Sequence, residues 1–216
     1  MYGAPGLEKT RDYVHRATSF YISLLQRLGL AQLSIEGVEN LPQGGAILVA
    51  NHPSRLDMIL FLSLIPRCGC LVKKERPLLS PYARIIRLAQ YVKADGGQEI
   101  VDQASKELAA GRKMVIFPEG TRNVHGANSG GLKFRRGAAA LALQSGSPVV
   151  PVVLHYDPPV LGRGRKWYDT PKTICKVRIR YFEPLCFKSS SLEQWAERRE
   201  VTKSLENFFE DQLSQL

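Results

Sequence analysis

Residues 46–64 read AILVANHPSRLDMILFLSL, and their order decides the fold. Ala46 to Ala50 are apolar without exception, as in a strand buried on both faces. Asn51, His52 and Pro53 break the run, and a second apolar stretch from Leu56 to Leu64 has the length and composition of a helix. A strand therefore empties through a polar turn into a helix. The same alternation extends outward in both directions. Strands are expected at Gly69–Lys73, Gln90–Ala94, Lys113–Phe117, Val149–His155 and Thr173–Tyr181, and helices at Pro81–Leu88, Gln98–Ala110, Phe134–Gln144 and Leu192–Leu213. Alternating strands and helices predict an α/β fold, a mixed and largely parallel β-sheet flanked by helices. A chain of 216 residues fits one such domain, expected over residues 32–216 and preceded by an N-terminal amphipathic helix within residues 1–31.

Composition narrows the function. The chain is 44% hydrophobic and 23% charged, which excludes a disordered or collagen-like protein. Thirty basic against 20 acidic residues leave a net charge of +10, so an anionic partner is expected: a membrane surface, a phosphorylated small molecule or nucleic acid. No basic, aromatic-rich recognition motif supports nucleic acid. Cys68, Cys70, Cys175 and Cys186 form neither a zinc-ligand pattern nor an extracellular framework, and are expected to be reduced in a cytoplasmic setting. No secretory leader and no run of about 20 apolar residues is visible. Residues 157–170, with Arg163, Arg165 and Lys166, read as a long basic surface loop. Near the N-terminus, Val14, Ala17, Phe20, Tyr21, Leu24, Leu25 and Leu28 recur three or four apart, so this helix either packs on the core or lies in a membrane interface.

Two turns carry chemistry. His52 follows a strand, and in open α/β sheets ligands collect at the carboxyl ends of strands. A neutral imidazole can accept a proton from a hydroxyl, and Asp57 is close enough across a turn to hold its other nitrogen. Ser54 and Asp57 also have the spacing of a helix capping box, a purely structural alternative. The second turn lies in KMVIFPEGTRN, residues 113–123, where Glu119, Gly120, Thr121 and Arg122 follow a strand. Glycine admits close backbone approach, and an arginine fork suits phosphate. Lys133, Arg135 and Arg136 add positive charge ahead of the next helix.

Taken together, the NHPSRLD and FPEGTR blocks resemble the NHxxxxD and FPEGTR motifs of the glycerolipid acyltransferases, in particular the 1-acylglycerol-3-phosphate acyltransferase family. The resemblance extends through KFRRGAAALALQSGSPVVPVVLHY, residues 133–156. It implies transfer of a fatty acyl group from acyl-CoA or acyl carrier protein, used as substrates with no bound cofactor or metal, to the hydroxyl of a lysolipid, foremost lysophosphatidate. By the same resemblance His52 is the general base and Asp57 its orienter. Asn51, Ser54, Arg55, Lys73, Lys74, Glu119, Gly120, Thr121, Arg122, Lys133, Arg136 and Pro151 are expected to bind substrate, Pro151 near the acyl donor. The chain departs from the family between the blocks: Tyr82, Ala83 and Arg84 follow Pro81 without the family's glycine, and Gly96 follows Asp95 where an arginine is usual. That departure leaves room for another lysolipid or hydroxylated lipid as acceptor. A thioesterase or lipid hydrolase could use the same His–Asp pair, and a non-catalytic binder would need neither residue. Peripheral attachment to the cytoplasmic face of an anionic membrane is the expected location.

Overall fold

The computed structural model describes residues 4–72, 92–93, 97–120, 132–162, 171–188 and 194–216. The expected helix Pro81–Leu88, most of the basic loop, and Lys73, Lys74, Thr121 and Arg122 lie outside the described residues. Helix α1 covers Ala4–Arg27, α2 Asp57–Leu64, α3 Gln98–Ala109, α4 Gly137–Ser145 and α5 Gln194–Ser214. The strands are β1 Ala31–Glu36, β2 Ala46–Ala50, β3 Gly69–Val72, β4 Val92–Lys93, β5 Lys113–Ile116, β6 Val149–Asp157 and β7 Cys175–Tyr181. They form one sheet in the order β1-β7-β6-β2-β5-β3-β4. Every neighbouring pair is parallel except β6 with β7, which confirms the mixed, largely parallel sheet.

Strand β2 lies at the middle of the sheet, hydrogen-bonded to β6 on one side and β5 on the other. Because side chains alternate along a strand, its residues feed two cores. Ala46, Leu48 and Ala50 join Leu60 and Phe61 of α2 and Ile22 of α1 on one face. Ile47 and Val49 join Leu108 of α3, Leu141 of α4 and Leu205 and Phe209 of α5 on the other. The result is three layers with β2 sealed between them, which is why its whole length is apolar.

Helix α1 belongs to this domain. Val14, Ile22 and Leu25 face α2, His15 Nδ1–H donates to the Leu62 carbonyl at 2.8 Å, and the Ser19 hydroxyl donates to the Ser63 carbonyl at 2.8 Å. Arg11 is buried and paired with Glu107 at the end of α3, whose carboxylate also takes Arg112 Nε at 2.8 Å. The apolar residues of α1 and of the turn after it thus divide into two sets: Val14 and Leu25 turn inward, while Phe20, 67% exposed, Leu28, 62% exposed, and Tyr13, Tyr21 and Leu24 remain outside beside the exposed Arg16 and Arg27. No helix among the described residues is long and apolar enough to cross a membrane.

Two sequence expectations are corrected here. Strand β1 was not anticipated, because AQLSIE is exposed or half-exposed along its length and its order comes from pairing with β7. Helix α4 begins at Gly137 rather than Phe134, since the preceding backbone is bonded elsewhere. Leu132 N–H and Phe134 N–H donate to Glu210 and Glu206 of α5, and Arg135 N–H donates to the Pro118 carbonyl.

Candidate active site

His52 stands just beyond the carboxyl end of β2. Its Nδ1 lies 2.7 Å from Asp57 Oδ2, with the imidazole 17% exposed and the carboxylate fully buried. A carboxylate can only accept from Nδ1, and a neutral imidazole paired this way keeps Nε2 for an incoming group. The imidazole stacks on Phe117 at the end of β5, with ring centroids 4.2 Å apart and planes at 20°. His52 N–H donates to Glu119 Oε1 at 3.3 Å, so the two sequence blocks meet across β2 and β5.

Asp57 answers both readings of its spacing. Its Oδ2 accepts Ser54 N–H at 2.9 Å while Ser54 Oγ accepts Leu56 N–H at 3.1 Å, a capping arrangement at the start of α2. The same oxygen holds His52, and Oδ1 accepts the Tyr156 hydroxyl at 2.6 Å. Burial pushes the Asp57 carboxyl above its ordinary value, opposed by the hydrogen bonds from His52, Tyr156 and Ser54. Tyr156 is held well above the usual phenol range by burial and by the Asp57 charge, so its hydroxyl keeps its proton.

The protein itself engages or buries several of the expected binding residues. Asn51 is buried, and both ends of its amide are engaged: Nδ2 donates to the Leu154 carbonyl at 2.8 Å and Oδ1 accepts Leu154 N–H at 2.7 Å. Ser54 is fully buried and committed to the α2 start. Pro151 is buried in β6 in register with Val49, away from any solvent-facing surface. Arg55 and Lys133 are exposed. Arg136 lies over the Trp195 ring at 5.0 Å, whereas its neighbour Arg135 packs against Gly120, near enough that a Cβ there would meet its Nε at 2.5 Å. Gly120 itself has φ +68°, a left-handed conformation that favours glycine. Glu119 is buried beside His52. Phe117 and Tyr156 were missed because an aromatic residue at a strand end reads as ordinary core.

Fold and site together define an α/β domain that carries a hydrogen-bonded His–Asp pair just beyond the carboxyl end of a central parallel strand. The chain belongs to the Acyltransferase family, whose model matches residues 32–155. It is 27% identical over 176 residues to a 1-acyl-sn-glycerol-3-phosphate acyltransferase of Cocos nucifera, covering 77% of this chain and 52% of that protein. It is 36% identical over 121 residues to the beta 1-acyl-sn-glycerol-3-phosphate acyltransferase of Homo sapiens, covering 50% of this chain and 40% of that one. The chain thus spans about half the length of these curated relatives. The crystal structure of the 1-acyl-sn-glycerophosphate (LPA) acyltransferase PlsC from Thermotoga maritima is similar with a TM-score of 0.66 and 26% identity, over 93% of this chain and 82% of that one.

Proposed function

We propose that this chain transfers a fatty acyl group from a thioester, acyl-CoA or acyl carrier protein, to the free hydroxyl of lysophosphatidate. The observation that carries the proposal is the His52–Asp57 pair just beyond β2, with Nδ1 anchored at 2.7 Å and the imidazole 17% exposed. In this mechanism Nε2 removes the proton of the acceptor hydroxyl as its oxygen attacks the thioester carbonyl. The tetrahedral oxyanion collapses, the C–S bond breaks, and the imidazolium returns the proton to the departing thiolate. The ionised Asp57 steadies the imidazolium between the two steps, and a base so placed contributes about 10²- to 10⁴-fold in rate. The names and matched regions of the relatives support acyl transfer and a lysophosphatidate acceptor. The net charge of +10 suits the phosphates of donor, acceptor and membrane.

The outward stripe of α1 is the proposed docking face on the cytoplasmic side of an anionic membrane. Tyr13, Phe20, Leu24 and Leu28 would enter the interface, with Arg16 and Arg27 near the lipid headgroups at about 1 kcal/mol each.

The test measures thiol release from long-chain acyl-CoA and from acyl carrier protein, with and without lysophosphatidate, for the native chain and for His52→Ala. Release that requires the acceptor, yields phosphatidate and collapses in the variant is expected. Release that ignores the acceptor but needs His52 would make the chain a hydrolase and overturn the proposal.

A further inference from the structure

Tyr156 stands 99 positions from Asp57 in sequence yet meets it inside the domain. It sits at the end of β6, in register with Val177 of β7, with its ring in the same core cluster as Val152 and Leu154. The Asp57 carboxylate is fully buried, and its two oxygens have separate duties. Oδ2 takes His52 Nδ1–H and Ser54 N–H, whereas Oδ1 takes only the Tyr156 hydroxyl among the described residues. The terminal torsion of an aspartate is soft, so two donors on one oxygen do not by themselves stop the group from turning. Removal of the third donor would also leave a buried carboxylate oxygen without a partner.

From this geometry we infer that Tyr156 is a positioning residue for the proposed acyl transfer: its hydroxyl fixes the Asp57 carboxylate in the orientation that presents Oδ2 to His52. Tyr156 is itself buried and bonded to Asp57, so it acts through that residue and not on substrate. A phenylalanine would fill the same volume, which means that packing alone does not account for the hydroxyl.

The inference has a definite sign. In the proposed reaction the base is the hydrogen-bonded His52–Asp57 pair in its proton-free form. The Tyr156 hydroxyl draws negative charge from the carboxylate, so without it the pair binds a proton more tightly, whichever member carries that proton. In Tyr156→Phe the acid limb of kcat is expected to move up by about half to one pH unit. The plateau is expected to fall about tenfold, with KM for acyl-CoA and lysophosphatidate changed by less than about twofold. A 3-fluorotyrosine placed only at position 156 is a stronger donor that keeps the packing, and it should move the limb downward. In an Asp57→Asn background, Tyr156→Phe should change kcat by less than about twofold, because the carboxylate charge that it holds against His52 has gone.

An unshifted pH profile in Tyr156→Phe would overturn the inference, as would an equal loss in the Asp57→Asn background. The inference rests on the proposed activity but is separable from it. If the native chain shows no acyl transfer, the activity reading fails, and the His52 imidazole titration followed by NMR in native and Tyr156→Phe protein still decides the positioning role. An upward shift supports it and an unchanged titration refutes it.

Discussion

Replacing Asp57 by asparagine separates its chemical duty from its structural one. The carboxylate is fully buried and accepts three hydrogen bonds, from His52, Ser54 and Tyr156. An asparagine oxygen in place of Oδ2 keeps the first two, and its amide in place of Oδ1 donates to the Tyr156 hydroxyl, whose hydrogen is free to rotate. The exchange turns three charge-assisted bonds into neutral ones, at about 1 kcal/mol each. It also removes the cost of burying a carboxylate, an effective several kcal/mol. Because burial raises the Asp57 carboxyl above its ordinary value, the native state is at its most stable, with respect to this group, below the unfolded carboxylate range. That contribution is lost as pH rises through the folded value. At neutral pH, Asp57→Asn is therefore expected to gain on the order of 1 kcal/mol, about 2–4 °C in Tm for a chain of this size. Acyl transfer should fall about 10²- to 10⁴-fold, since no charge remains to steady the imidazolium. Asp57→Ala strands Ser54 N–H and His52 Nδ1–H and takes one partner from the Tyr156 hydroxyl, at about 1–3 kcal/mol for each stranded group, and should lose at least about 2 kcal/mol. Thermal unfolding at neutral pH beside the thiol-release assay reads both quantities. An Asn variant that melts as low as the Ala variant, or that keeps activity within about tenfold of native, would refute the reasoning.

Three further outcomes are expected. Gly120→Ala imposes a left-handed φ on alanine at about 1 kcal/mol and displaces Arg135, so chemical denaturation should show that loss and initial-rate kinetics a raised KM for the phosphorylated acceptor. For Glu107, burial raises the carboxyl and the Arg11 and Arg112 guanidiniums more than offset it, leaving it below its usual value of 4.5. The α1 clamp should hold fully above that pH and weaken as pH falls through the folded value, exposing α1 to limited proteolysis before the core melts; loss of α1 protection at neutral pH would contradict this. On the outward stripe, Phe20→Glu should lower affinity for anionic vesicles at least about tenfold in a sedimentation assay, with Tm unchanged, since each buried large apolar side chain is worth about 1.5–3 kcal/mol.

The parts of the fold legible in the sequence are those whose order is local or deeply buried. Strands β2, β5 and β6 were placed to within two residues because their apolar runs are bounded by glycine, proline or charge. The pattern failed for β1, which lies at the sheet edge and takes its conformation from β7 rather than from its own side chains. It failed again for the start of α4, where Glu206 and Glu210 of a helix some 70 residues away hold the backbone open. The His52–Asp57 pair was readable because a turn brings the two together in any fold. Tyr156 and Phe117 reach the pair through strand neighbours that only the finished sheet supplies. Asn51, expected to bind substrate by the family resemblance, spends both ends of its amide on the backbone of Leu154, a pairing across 103 positions that the sequence does not display.

The two hydrogen bonds of Asn51 also bear on how the protein ages. An asparagine deamidates when the next backbone nitrogen attacks its side-chain carbonyl. Here both ends of the amide are tied to Leu154, and the nitrogen of His52 points to Glu119. The folded chain therefore holds the two reacting groups apart. An unfolded chain lacks that restraint, and an aspartate formed at position 51 would face the Leu154 carbonyl with no hydrogen to donate. Time spent unfolded would then leave a chemical scar beside His52, one that refolding does not erase.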